Sequence, residues 1–173
     1  MFMKKVLFSL VALMAVMTVQ AQSLCATWRT LQPVVAEQDG ELSIQNIMYT
    51  FNEDGTFTMA DELTISSEPA PTMAMEIATN IEIKGNYTIE GDKLTLTPDI
   101  NTYKAEVLSL SMNGKVTDNP MVTSQVKSLL NSQEFKAQFG ETQNFTATLN
   151  GDMLEMNDGE QALTLTRFAT IAN

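Results

Sequence analysis

Few side chains in this sequence have types and spacings that could do chemistry. They are a single thiol, Cys25, and three neighbouring carboxylate pairs: Glu53 with Asp54, Asp61 with Glu62, and Asp158 with Glu160. Paired carboxylates can hydrolyse a glycosidic bond or ligate calcium. Each of these pairs lies in or beside a run expected to turn, where Asp and Asn bond the backbone, and none has the ordered spacing of a calcium loop. They are read as turn residues, and no metal site is predicted. The chain has no histidine, which excludes Ser-His-Asp and Cys-His catalysis, His-ligated zinc or haem, and the commonest proton shuttle near neutral pH. No catalytic residue and no cofactor is predicted, and the chain is expected not to be an enzyme. Reviving an enzyme would need a buried carboxylate of raised pKa beside a pocket.

The elements that must position these residues begin after a leader. Lys4 and Lys5 precede an uncharged run from Val6 to Val19, and Val19 and Ala21 stand at the −3 and −1 positions of a small-residue cleavage site. Residues 1–21 are read as a secretory signal peptide. The run is too short to span a bilayer core of about 30 Å, and nothing downstream approaches the roughly 18 apolar residues of a membrane helix. Residues 22–173 are expected to form one exported domain, periplasmic or secreted, with no transmembrane segment. Leu24 directly precedes Cys25, where lipoprotein processing wants a small residue, so acylation at Cys25 is not the expectation. A lone cysteine forms no disulfide within the chain. The formal charge of the whole chain is −11, and losing Lys4 and Lys5 makes it two charges more negative. Nucleic acid and anionic lipid are disfavoured partners, because both need clustered Lys and Arg.

The remaining chain alternates with a period of two. Ile47, Tyr49 and Phe51 share one parity, Asn52-Glu53-Asp54-Gly55 turns, and Phe57, Met59, Leu63 and Ile65 continue beyond it. Met73, Met75 and Ile77 share a face, as do Ile81, Ile83, Tyr87 and Ile89, with Gly85 where a long strand would bend. After a turn at Gly91-Asp92, Leu94 and Leu96 form a return strand that Pro98 is expected to end. Tyr103, Ala105 and Val107 begin another strand, and the later parity of Leu108, Leu110 and Met112 calls for a bulge near Val107. Phe145 to Leu149, Leu154 to Met156 and Leu163 to Leu165, separated by Asn-Gly-Asp and Asn-Asp-Gly turns, read as a three-strand meander.

One helical segment is predicted, at about 120–139. Asn119 is a candidate N-cap before Pro120, and Val122, Val126, Leu129, Leu130, Phe135 and Phe139 recur at helical spacing. Gln133 between the two apolar sets marks a kink or a division into two short helices. The stripe must cover something apolar, either as a plug in a barrel end or as a lid over a pocket.

About 8–10 antiparallel strands must hide their edges, and closure into a barrel does so, with a β-sandwich as the competitor. Trp28, the only tryptophan, lies on the first strand, and Arg167 on the last shares the parity of Leu163 and Leu165. An arginine there needs its charge satisfied, and an indole face supplies that. This pairing resembles the lipocalin-like (calycin) superfamily, whose barrels carry a tryptophan on the first strand and an arginine on the last. The turns around Asn52-Gly55 and Gly85-Ile89 resemble those of small exported lipocalin-like proteins of Bacteroidetes bacteria. The sequence departs from the family in carrying Ala26 where glycine is usual and in placing its helix before the last three strands.

The resemblance implies an antiparallel lipocalin-like β-barrel in which Trp28 and Arg167 close one end. It also implies binding or carriage of a small hydrophobic or amphipathic molecule inside. Candidate ligand-binding residues are Tyr49, Phe51, Phe57, Tyr87 and Tyr103, with Met59, Met73 and Met75 as an adaptable thioether wall. Ordinary core packing is the competing reading for each. The alternative for the whole chain is a non-enzymatic protein- or glycan-interaction module with a filled barrel. Several hundred cubic ångströms of connected apolar space would favour the carrier.

Overall fold

Alternating apolar residues bury one face of a strand and leave the other wet, and nearly the whole described chain folds on that rule. The computed structural model describes residues 24–38, 41–70 and 73–168; the predicted signal segment, 1–21, lies outside them. In chain order the elements are β1 (Thr27–Thr30), β2 (Val34–Gln38), β3 (Glu41–Phe51), β4 (Thr56–Ala70), β5 (Met73–Glu90), β6 (Lys93–Met112) and β7 (Lys115–Val116). Helices α1 (Pro120–Leu130) and α2 (Gln133–Gly140) follow, then β8 (Gln143–Asn150), β9 (Met153–Asn157) and β10 (Ala162–Phe168). Every pairing is antiparallel.

The sheet runs β1-β10-β9-β8-β6-β5-β4-β3, and β1 also pairs with β3, so these strands close into a ring. The closure is short. β1 meets β3 only at Met48–Thr50, and β8 meets β6 only at Lys93–Leu96. Beyond those residues β3, β4, β5 and β6 run on together, flanked by β2 on β3 and by β7 on β6. The molecule is therefore a closed barrel at one end and a split, sheet-like trough at the other.

The transition between the two halves is built at Gly85 and Pro98, which face each other across β5 and β6. A Cβ on Gly85 would lie 2.3 Å from the Thr97 carbonyl oxygen and 2.7 Å from both Phe57 Cε1 and the Pro98 Cα. Only glycine lets the strands approach so closely. The register breaks just beyond, between Glu82 and Lys84. Pro98 was expected to end a strand, but β6 continues through it. It sits past the last residue paired with β8, where a missing N–H interrupts no outer ladder. The bulge expected near Val107 is present: Ala78 pairs with Ser109 and Thr79 with Val107, leaving Leu108 as the extra residue, 56% exposed. Asn113 and Gly114 both have positive φ (51° and 71°), the two-residue turn that suits a hairpin, and they join β6 to β7.

The helical segment is two helices. Asn119 caps α1, its side chain accepting from the Met121 N–H at 3.0 Å, and Pro120 occupies a first-turn position that needs no donor. Ser132 caps α2 by accepting from the Phe135 N–H at 3.2 Å; that second cap divides the segment. Val126 and Leu130 are buried against Ile77 and Leu110, with Val122 beside them, whereas Leu129 faces outward. Phe135 and Phe139 pack on Leu63, Ile81, Ile83 and Tyr103. The Tyr103 hydroxyl donates to the Leu130 carbonyl at 2.9 Å, tying β6 to the end of α1. The helices thus cover the inner face of the trough. The closed half holds Trp28, Phe51, Phe57, Leu94, Leu96, Leu154, Met156 and Leu165, all essentially inaccessible. Each such side chain contributes about 1.5–3 kcal/mol on burial.

Candidate functional site

At the closed end β1 and β10 set Trp28 directly opposite Arg167. The guanidinium carbon lies 4.6 Å from the indole centroid, within cation–π range. Trp28 is wholly buried, and its Nε1–H donates to the Leu24 carbonyl at 2.8 Å. Arg167 Nε lies 3.4 Å from Asp152 Oδ1; the carboxylate is exposed, so this ion pair is screened and weak. Arg29 lies over Phe168 in a second cation–π contact at 4.5 Å. The Tyr87 hydroxyl donates to the Asn52 carbonyl at 2.8 Å and is 3.5 Å from Cys25 Sγ. Burial first, and then the contact with the Cys25 thiol, hold the Tyr87 phenol well above its usual range. These side chains tie strand ends to turns.

The residues proposed from sequence as ligand contacts separate into groups. Tyr49 and Phe51 stack at 5.9 Å between ring centroids, Phe51 meets Tyr87 edge-on at 5.1 Å, and Phe57 contacts both Tyr49 and Phe51 at 6.4 Å. These four rings pack on one another in the closed half. Met59 lies between that cluster and the next one. Tyr103 is apart from them, 5.6 Å from the Phe139 ring and under Lys136, whose ammonium lies 5.4 Å from the Tyr103 ring centroid. Burial pushes the Tyr103 phenol up to about 12. Met75 packs with the Ile77–Leu110 cluster and lines an open cleft of about 300 Å³ with Leu42, Ser66, Glu76 and Ser111 at the far end of the trough. The side chain of Met73 lies outside the described residues.

The residue that the sequence reading set aside is Asp61. The Asp61-Glu62 pair, expected in or beside a turn, sits instead in the middle of β4, with Asp61 paired to Ile47 on one side and Ile81 on the other. Fifteen residues of β4 run without a break through this point, so alternation decides the two fates: Glu62 is exposed, and Asp61 faces inward at 3% exposure. Asp61 Oδ1 has no hydrogen-bond partner. Burial, and secondarily the charge of Glu62, push its carboxyl up to about 6. Burial together with the Asp61 charge holds the neighbouring Tyr49 phenol well above its usual range. A signal was present in the sequence. Phe57, Met59, Asp61, Leu63 and Ile65 form one alternating frame, and an acid in that frame must point into the barrel.

Partly buried side chains flank Asp61, as they also fringe the core of the closed half. Ile47, Met59 and Ile65 share its face and are only partly buried, and Leu63 and Ile81 complete its surroundings. A carboxylate set among apolar side chains that water can reach is an arrangement suited to orienting a bound molecule. The other acid pairs are exposed turn residues. Asp54 accepts from the Thr56 N–H and hydroxyl, and Asp158 from the Glu160 and Gln161 N–H groups. These bonds hold both carboxyls below their usual range. Among the described residues no group of three or more Cys, Asp or Glu side chains is placed to hold a metal ion, and no helix is long and apolar enough to cross a membrane.

The fold defines the class, an all-β antiparallel barrel with a helical pair. No model of a known protein family matches the chain, and no curated protein matches it.

Proposed function

We propose that this chain is an exported, lipocalin-like barrel that binds or carries a small amphipathic molecule without transforming it. The observation that carries the reading is the two-part interior. The closed half is packed with its own aromatic rings, while Met59, at its boundary, and Ile65, in the trough where Phe135 and Phe139 of α2 pack, remain partly accessible. Asp61 provides one polar group there, and Tyr49 beside it holds its proton too tightly to exchange it near neutral pH. One carboxyl with neither a nucleophile nor a second acid suits orientation of a ligand better than catalysis. The test is a native mass spectrum of protein purified from its own host without detergent, followed by a denatured spectrum. A mass present only in the native spectrum supports the carrier, and a bare mass throughout counts against it. The same spectra report cleavage after Ala21 and any acyl group on Cys25.

A second reading, an interaction module, draws on the outer surface. Val116 and Met121 are 74% and 72% exposed, and Leu108 and Leu129 are also on the surface. In that reading the interior is structural and a protein or glycan docks outside. A bare native mass together with capture of a partner would favour it.

A further inference from the structure

We propose that Asp61 is the anchor for the cationic head of an amphipathic amine whose apolar part lies along Ile47, Met59, Leu63 and Ile65. The proposal rests on the carrier reading above and names the ligand class of that site.

The carboxylate is at 3% exposure with Oδ1 unpartnered, although buried polar atoms in folded proteins are nearly always hydrogen-bonded. No cation of the described chain serves it. The ion pairs there join Lys84 and Lys104 to Glu82 and Arg167 to Asp152, on the outer face of β5 and at the barrel end. Its cross-strand neighbours are Ile47 and Ile81, so nothing in the wall offsets a negative charge. A buried carboxylate left without a partner is costly, and a paired cation offsets that cost. An alcohol could satisfy one lone pair but not the charge, and a fatty-acid carboxylate would be repelled. The partly accessible row of Ile47, Met59 and Ile65 beside Asp61 gives an apolar tail a place to lie. The titratable groups facing this region are Tyr49 from β3 and, farther along, Tyr103 from β6 with Lys136 of α2 over its ring; Glu62 lies on the opposite face of β4. Both phenols stay protonated from pH 5 to 7.5, so Asp61 is the group that titrates there.

The experiment is calorimetric titration of the exported protein with octylamine, octanol and octanoate, which share one chain length. At pH 7.5 the amine is expected to bind about tenfold or more tighter than the alcohol, a preference that Asp61→Asn abolishes. In the wild type the amine affinity should fall about tenfold between pH 7.5 and pH 5, as the carboxyl of the free protein takes up its proton. Equal affinities for the three probes would overturn the amine assignment and leave the carrier reading standing. No binding by any probe would overturn both. The head-group series and the pH profile use the wild type, so they decide the matter even if the variant does not fold.

Discussion

Asp61 is a carboxylic acid buried between apolar cross-strand neighbours. Its carboxyl has an ordinary value of 3.8 and is pushed up to about 6 in the folded state, so the native chain binds the proton more tightly than the unfolded one. Stability from this group is fully present below about pH 3.8 and is lost as the pH rises through 6. Asp61→Asn keeps the shape without the charge. It is expected to be more stable than the wild type at pH 8, by up to about 3 kcal/mol, with the difference shrinking toward pH 4. Urea unfolding at both pH values checks this, and an unchanged pH dependence would show that Asp61 does not carry the effect. Trp28 makes the opposite kind of contribution, since it is wholly buried and stacked under Arg167. Trp28→Ala should cost about 3–5 kcal/mol and Arg167→Ala about 0.5–2 kcal/mol, read as shifts in the denaturation midpoint. Wild-type stability in both would remove the pair from the account of barrel closure.

At the scale of elements, the β5–β6 corner and the helical pair decide how the barrel opens. Gly85→Ala places a methyl group against the Thr97 carbonyl and Phe57. Backbone cannot give way as a flexible side chain would, so a loss of at least about 1–3 kcal/mol is expected, measured by thermal unfolding. The helices are held by their apolar packing on the trough, and caps fix where each begins. Asn119→Ala removes the acceptor for the Met121 N–H and should cost about 1 kcal/mol. Hydrogen exchange should localise that loss to α1 and leave β8 to β10 protected, because the helix packs chiefly on β6, with Ile77 of β5 in the same cluster. Much of this level was legible in advance: Asn119-Pro120 read as a helix start, Gly85 as a bend, and the parity change after Val107 as a bulge. The course of β6 through Pro98 was not, because a proline is excluded only where its N–H would have a partner, and that depends on where β8 stops pairing.

For the molecule as a whole, the strand ring closes over only part of its length, and the chain that forms it is acidic. A formal charge of −11 without histidine means that self-repulsion is screened by salt. Raising the sodium chloride concentration from 0.02 to 0.3 M, in about neutral buffer, is expected to raise the melting temperature by a few degrees, and a decrease would point to ion pairs that stabilise the fold. The split half explains why the aromatic residues expected around one ligand do not all meet. Tyr49, Phe51, Phe57 and Tyr87 lie where the ring closes, whereas Tyr103 lies beyond the Gly85–Pro98 corner, under α2.

What the amino-acid sequence determined by itself was local. Period-two alternation selects strand and face, glycine and asparagine at positive φ select the turns, and Asn119 with Pro120 selects a helix start, each through chemistry within a few residues. The tertiary structure decided what depends on partners distant in sequence: that β1 bridges β3 and β10, that the short strands β2 and β7 flank the trough, and that four aromatic rings fill the closed end. Asp61 stands between the two levels. Alternation already aimed it inward, but the absence of a partner for its Oδ1 follows from Ile47 and Ile81, which strand register alone brings to its sides.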